Sequence, residues 1–548
     1  MFIKITKNAK GASYYHLVES YREKGKVKQR TLLSLGKVED GKLKDLADAL
    51  SKHLDTTHIF DIAKSIDVKD TYILGPLLVL ERMMETLGIN QVLKIVQDSH
   101  ERLQFDFAKV VFTQICARFV KPVSKLSLYD HWLERLYPVM IDHDTALQHI
   151  YRSLDILAAH KQQIETHLYH HGKDLFSLNV DVVLYDLTTL RFESTRTDLG
   201  ELRQFGYSKE MRSDCTQVVL GLLTDTEGIP LCFEVHPGNT FEGNTLQDIV
   251  DKMKQRFSVR RFIFIADRGL FSAANLHHIR SQFGEFIIGM KMGNLAQKNQ
   301  QQLYDLAKFT WIYEGELAVY KTTHGEDTLI VTWSKSRAER DRRAREDILD
   351  KIRKKLASGK PVSKSFITNS NYKKYLDIPD GGKCTLNKKT IQEQAAKDGF
   401  FAVITNVTTM SATELVSHYK QLWKIEDAFG EVKGTLKARP MFHWTDKRII
   451  GHLVLCYLAY YCEAHLTKIL RQNKDILQSK SIEDKTIKQR ALTVVQAMNE
   501  LVQVMAVPVN IKHYTYWVRT DIPHNAQALI KAIGMRIPPK LLQKPMKM

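Results

Sequence analysis

Three acidic residues stand where a carboxylate needs an explanation. Asp186 follows the apolar run VVLY (182–185), and Asp267 ends the run FIFIA (262–266). Each is expected at or near the end of a buried strand, where an ionised group needs a partner. Two converging carboxylates repel unless a cation lies between them, and all-oxygen ligation suits a hard divalent ion. Read singly, each also suits a cap: Asp186 precedes Thr188 and Thr189, and Asp267 precedes Arg268 and Gly269. The third acid, Glu426, lies in SATELVSHYKQLWKIEDAFGEVKGTLKARP (411–440). A long helix from Ser411, wound at about 100° per residue, gathers Leu422, Ile425, Phe429, Val432 and Leu436 into one apolar stripe. Glu426 and Tyr419 fall on its edge with Lys433 beside them, while Asp427 and Glu431 project to the other side. This helix packs on something apolar and offers Glu426 at the border, where a sheet-end metal site can receive it. A surface glutamate paired with a lysine explains Glu426 alone equally well.

The elements that must position these groups follow from periodicity. SLNVDVVLYDLTTLRFES reads as a strand, followed by two strands around a turn at Asp225–Gly228 and a helix over Thr245–Arg256. RRFIFIADRGLF is a further strand, SAANLHHIRSQFG a helix and FGEFIIGMK a closing strand. Strands first adjacent, then alternating with helices, predict a mixed α/β sheet. Residues 295–400 read as a separate insertion. It holds β-hairpin material up to Ser334 and a charged helix over 336–355 whose opposite-sign pairs mark a solvated face. FAVITN (401–406) returns to strand character, and apolar helices follow from Arg448. Upstream, residues 1–45 alternate as a small basic antiparallel sheet, and Leu43 to Ile164 turns helical. Five regions result: 1–165, 175–294, 295–400, 401–470 and a C-terminal helical region, 471–548.

Composition bounds the function. With 548 residues, 44% hydrophobic and 26% charged, the chain is neither mainly disordered nor fibrous, and it is long enough for several domains. Eighty Lys and Arg against 62 Asp and Glu leave a net charge of +18, which favours a polyanion, nucleic acid or an anionic membrane surface, and equally suits a basic soluble enzyme. The six cysteines form no CxxC pair, so neither a zinc ribbon nor a disulfide framework is expected. His170–His171 and His277–His278 lack a third ligand at a telling spacing. The N-terminus has no secretory apolar core, and the most apolar stretch, Ile449 to Ala464, reads as too short and mixed to span a bilayer. A cytoplasmic protein is expected.

The spacing of the three acids then acquires a meaning. Tyr419, Glu426 and Lys433 match the Y-x2-R-x3-E-x6-K signature of bacterial insertion-sequence DDE transposases. Asp267, Gly269 and Phe271 resemble the D-x-G-x-[YF] motif around that family's second aspartate, and YDLTTLRFES, with Asp186, resembles its first motif. GYSKEMRSDCTQVVLGLL, DGFFAVITN and LKARPMFHWTDKRIIGHLVLCYLA are similar to the family as well. Motif order and spacing agree over most of the chain. One position departs: Leu422 stands at the signature arginine. On an ideal helix Lys420 and Lys424 point about 160° away from it, so neither is a simple substitute.

The resemblance implies an α/β fold with a ribonuclease-H-like core, interrupted by a largely β insertion between the second aspartate and the glutamate. It also implies a metal-dependent transposase in which Asp186, Asp267 and Glu426 hold two Mg2+ ions, with Mn2+ able to substitute. Tyr419 and Lys433 would grip DNA phosphates, and Leu422 removes one such contact. Further DNA contacts are expected from Arg268, Lys209, Arg212, Lys437 and Arg439, although an Arg212–Asp214 ion pair reads equally well. Trp423 reads as core packing rather than base stacking. The implied partners are double-stranded terminal inverted repeats and target DNA, bound by a homodimer without a membrane, with residues 1–165 as a DNA-end-binding or dimerisation region. A catalytically silent DNA-binding derivative, such as a repressor of transposition, and a structure-specific nuclease are the alternatives. The intact acidic triad favours an enzyme.

Overall fold

Runs of Val, Ile, Leu and Phe bounded by turn residues extend into strands because branched and aromatic side chains pack well on a pleated surface. The computed structural model describes residues 2–7, 10–23, 26–37, 70–142, 144–176, 182–207, 212, 214–257, 262–282, 284–292, 302–357, 370–377, 384–483, 486–511, 514–542 and 546–547. They fall into two units.

The first unit comprises Met1–Thr71, Ala506–Thr520 and Pro538–Met548. Its strands β1 (Phe2–Lys7), β2 (Ser13–Glu23) and β3 (Lys26–Lys37) form an antiparallel sheet, as their alternation predicts. The C-terminal part departs from the helical expectation. Met505–Ile511 and Tyr514–Arg519 pair antiparallel, and Gln478–Glu483 pairs with Thr486–Ala491 in the second unit. In the first of these pairs Val507, Val509 and Ile511, with Tyr514, Tyr516 and Val518, recur at the strand period of two.

The second unit, Tyr72–Met505 with Asp521–Ile537, opens on the two-residue strand β4 (Tyr72–Ile73) and contains the large sheet. The strands β5 (Val182–Arg191), β6 (Gln217–Thr224) and β7 (Pro230–Pro237) form an antiparallel meander. The shorter β8 (Ile263–Ala266) and β9 (Glu285–Met290) join it in parallel beyond β5, giving the order β9-β8-β5-β6-β7. Three antiparallel strands followed by two parallel ones reached through helices give the ribonuclease-H-like core. One sheet face buries Val183, Tyr185, Phe264 and Phe286 against the helix Thr245–Phe257, whose Leu246, Ile249 and Met253 join the same cluster.

The insertion adds to this sheet instead of building a separate one. Its strands β10 (Thr310–Tyr313), β11 (Leu317–His324) and β12 (Asp327–Ser334) run antiparallel. The short ladder of β13 (Leu376–Asp377) with β14 (Thr385–Leu386) stands apart. The returning strand β15 (Phe400–Thr405) pairs with β12 on one side and β9 on the other, making nine strands in all.

Helices Phe107–Val120, Leu147–Ala159 and Asp446–Gln472 pack together beside the sheet. Gly451 sets the closest crossing, because a Cβ there would run into the Leu154 carbonyl. The apolar 449–464 stretch lies within the longer helix Asp446–Gln472. At 27 residues that helix is long and apolar enough to cross a membrane, but 94% of its apolar window is buried inside the protein. It is the enclosed core helix of this unit, with Tyr457 and Tyr460 donating to the Leu231 and Gly228 carbonyls at 3.1 and 3.0 Å.

Candidate active site

Strand register brings the two aspartates together. The parallel pairing of β5 with β8 ends on Tyr185↔Ala266, so the next residues, Asp186 and Asp267, lie side by side on strands about 4.8 Å apart. Side chains alternate along a strand. Tyr185 and Ala266 enter the core cluster, and the two carboxylates therefore leave from the opposite face. The expected strand end before Asp186 is corrected: β5 continues to Arg191, with Asp186 opposite Leu222 of β6, and the strand that stops is β8. Neither capping reading holds. Asp186 is mid-strand, and the Asp267 side chain makes no cap bond to the short turn Arg268–Leu270.

Glu426 reaches the same place from a helix packed on β5. The apolar stripe is as read, with Leu422, Ile425, Phe429, Val432 and Leu436 all buried. The single long helix is corrected to three pieces: Ala412–Lys420, Trp423–Gly430 and a π-turn over Glu431–Thr435. At the first joint the bonds tighten to three-residue spacing, Leu422 N–H to Tyr419 O at 3.2 Å and Lys424 N–H to Gln421 O at 2.9 Å. A three-residue turn advances each side chain further than an α-turn does. This re-aims Lys420, which shares a cavity wall with Leu422 despite the ideal-helix argument.

That cavity, about 520 Å3, is lined by Asp186, Asp267 and Glu426 together with Tyr419, Lys420 and Leu422. Arg337 and Arg340, from the first turns of the insertion helix Lys335–Ala357, complete its basic side. The Tyr419 hydroxyl donates to Asp267 Oδ1 at 3.2 Å. Burial first, and then the Asp267 carboxylate, push the phenol well above its ordinary pKa, so it stays a donor. Gly289 of β9 makes room for this contact, because a Cβ there would collide with the Tyr419 hydroxyl. The Tyr419 ring lies 5.0 Å from that of Phe401, over which Arg337 sits at 4.6 Å. Burial lowers the pKa of Arg337.

The donor set suits a hard divalent cation: three carboxylates, and no histidine or cysteine, on the cavity wall. Among the described residues, no three His, Cys, Asp or Glu side chains are gathered tightly enough to hold an ion. The wall thus offers the right chemistry in an open arrangement.

The other expected contacts are spread more widely. Lys433 is half-buried in the π-turn, and Arg268 is exposed directly after Asp267. Neither lines the cavity. Arg212 forms the expected bidentate pair with Asp214, at 2.7 and 2.9 Å. Lys437 and Arg439 line a different, smaller cavity, and Lys209 lies outside the described residues. Trp423 is corrected from core packing: it is 48% exposed. Sequence reasoning singles out none of Arg337, Arg340 and Lys420, although the charged helix 336–355 that holds the first two reads as one that could track DNA. The Asp and Glu content of that helix favours a solvated face, and its Arg-rich start, SRAERDRR, is the signal for the other reading.

Residues 180–462 match the family model described as the transposase DDE domain, and residues 3–59 match that of the IS1634 family transposase N-terminal domain. No curated protein matches the chain. Among solved structures, a cryo-EM structure of a piggyBac transposase synaptic complex with hairpin DNA is similar at 9% identity and a TM-score of 0.38, covering 78% of this chain and 79% of that one.

Proposed function

Because this chain belongs to the DDE transposases of insertion sequences, we propose that the cavity between β5, β8 and the Trp423–Gly430 helix is its strand-cutting and strand-joining centre. The observation that carries this reading is the register that sets Asp186 beside Asp267, with Glu426 on the same wall. All three are metal ligands rather than a general acid and base. Members of this family use divalent metal, and the all-oxygen wall favours Mg2+, two ions per site, with Mn2+ as a substitute. Bound there, the metal supplies Lewis-acid stabilisation of the attacking and leaving oxygens.

The protein's own groups do the rest. Tyr419 donates to Asp267 and fixes which oxygen faces the cavity. Arg337, Arg340 and Lys420 neutralise the phosphate next to the scissile bond, which compensates for Leu422 at the signature arginine. A water oxygen attacks phosphorus and the 3′ oxygen leaves, taking a proton to become a 3′-hydroxyl. That hydroxyl then attacks a target phosphodiester and displaces its 3′ oxygen. Residues 1–165 would read the terminal inverted repeats, a homodimer would pair two ends, and Lys433, Arg268, Lys209 and Arg212 would hold flanking backbone.

Labelled terminal-repeat DNA, incubated with the protein, Mg2+ and a target plasmid, tests this reading. Joined products are expected. Cutting without joining would make the protein a nuclease, and binding without cutting in either Mg2+ or Mn2+ would leave a silent DNA binder.

A further inference from the structure

Away from the carboxylates, a second cavity of about 140 Å3 is lined by Arg118, Lys125, Lys437, Arg439, His443 and His452, with no Asp or Glu on its wall. Lys125 is 5% exposed and Arg118 6%. The Arg118 guanidinium is committed: its Nη1 donates to the carbonyls of Leu436 and Lys437 at 3.3 and 3.2 Å. The Lys125 ammonium has no hydrogen-bond or ion-pair partner among the described residues. Burial, then the nearby Arg118, drive its pKa well below the ordinary lysine value, and no carboxylate opposes them. A buried cation without a counter-charge is costly, and an anion relieves it.

His452 adds no charge to this wall. It is 4% exposed, and its Nε2–H donates to the Ala438 carbonyl at 3.2 Å. Burial and its basic neighbours keep it neutral, so Nδ1 is a lone pair, with no donor among the described residues. Basic donors with no acid on the wall match a small oxyanion, whose oxygens accept from them. The volume admits one small group and excludes a nucleotide. At the mouth, Lys437 is exposed and Phe442 is 63% exposed, so a ligand can enter from solvent.

We infer that this cavity binds a single phosphate group, either hydrogen phosphate or the terminal phosphomonoester of a DNA strand. A backbone phosphodiester carries a sugar on both sides, for which this volume has no room.

The test titrates inorganic phosphate into the full-length protein at constant ionic strength set with chloride, reading melting temperature and binding heat. Wild type should gain stability saturably. Lys125→Met, which keeps the buried methylenes and removes only the nitrogen, should lose the phosphate response. Lys437→Gln, a surface change that leaves the fold intact, should weaken phosphate binding about tenfold, as loss of a charged hydrogen bond does. Phosphate acting no more strongly than chloride, or equally on all three proteins, would overturn the inference. Oligonucleotide ends with and without a 5′-phosphate identify the source. A wild-type preference for the phosphorylated end that Lys125→Met abolishes assigns it to DNA, whereas stabilisation by phosphate without that preference assigns it to the free ion. No step needs metal or cleavage, so this result stands apart from the catalytic reading.

Discussion

At the residue scale, the contact from Tyr419 to Asp267 connects the helix to the sheet. Replacing Tyr419 with Phe keeps the ring against Phe401 and removes only the donor to the carboxylate. A hydrogen bond to a charged group contributes about 1.5–3 kcal/mol, so single-turnover cleavage should fall roughly tenfold to a hundredfold. DNA-end affinity should hold, and an unchanged cleavage rate would remove Tyr419 from the mechanism. Asp186, Asp267 and Glu426 were legible in the sequence because an acid bordering an apolar run is conspicuous. Arg337 and Arg340 were not. They lie among alternating charges, and nothing in a single sequence says which members of such a run meet a cavity 70 residues of chain away from Asp267, counting 337 − 267 = 70.

At the element scale, helix Asp446–Gln472 holds two sensitive points. Gly451→Ala would set a methyl group against the Leu154 carbonyl. Overpacking of this kind costs about 1–3 kcal/mol, and chemical denaturation should show it as a lower midpoint with an unchanged slope. Glu463, 6% exposed, is pushed from 4.5 up to about 7, first by burial and then by Glu431, while the Thr467 hydroxyl donating at 2.7 Å works in the other direction. A carboxyl raised on folding stabilises most below its unfolded pKa, and that stability is lost as pH rises through the folded value. Glu463→Gln should therefore match wild type near pH 4 and exceed it by about 3 kcal/mol at pH 8. Parallel pH–stability curves for the two proteins would contradict this. Most elements were legible from period and turn residues. The joint at Gln421–Leu422 was not, because neither Gly nor Pro marks it and it arises only where the helix bends over β5.

Across the whole molecule, sheet continuity is the feature that sequence hid. The insertion was visible as a change of character, but a strand pattern does not state its neighbours, and only the pairings of β15 with β9 and β12 reveal one sheet. The apolar 446–472 segment shows a similar limit: its composition alone suits a membrane as well as a core. The charge of +18 makes a prediction at this scale. DNA-end affinity should fall steeply with salt through counterion release, and Arg340→Gln should reduce the log–log slope by about one. A flat salt profile, or an unaltered slope in the variant, would contradict the placement of phosphate beside the insertion helix.

The central claim is that Asp186, Asp267 and Glu426 act as one metal-dependent centre. Its most direct test is single-turnover cleavage of a labelled terminal-repeat end in Mg2+ by wild type, Asp186→Asn, Asp267→Asn and Glu426→Gln, with DNA binding measured on the same samples. Each variant should bind the end and lose at least about a thousandfold in rate, and pairs of substitutions should be no worse than singles, as for residues that act as a unit. Any one variant that binds and still cuts near the wild-type rate would break the centre apart.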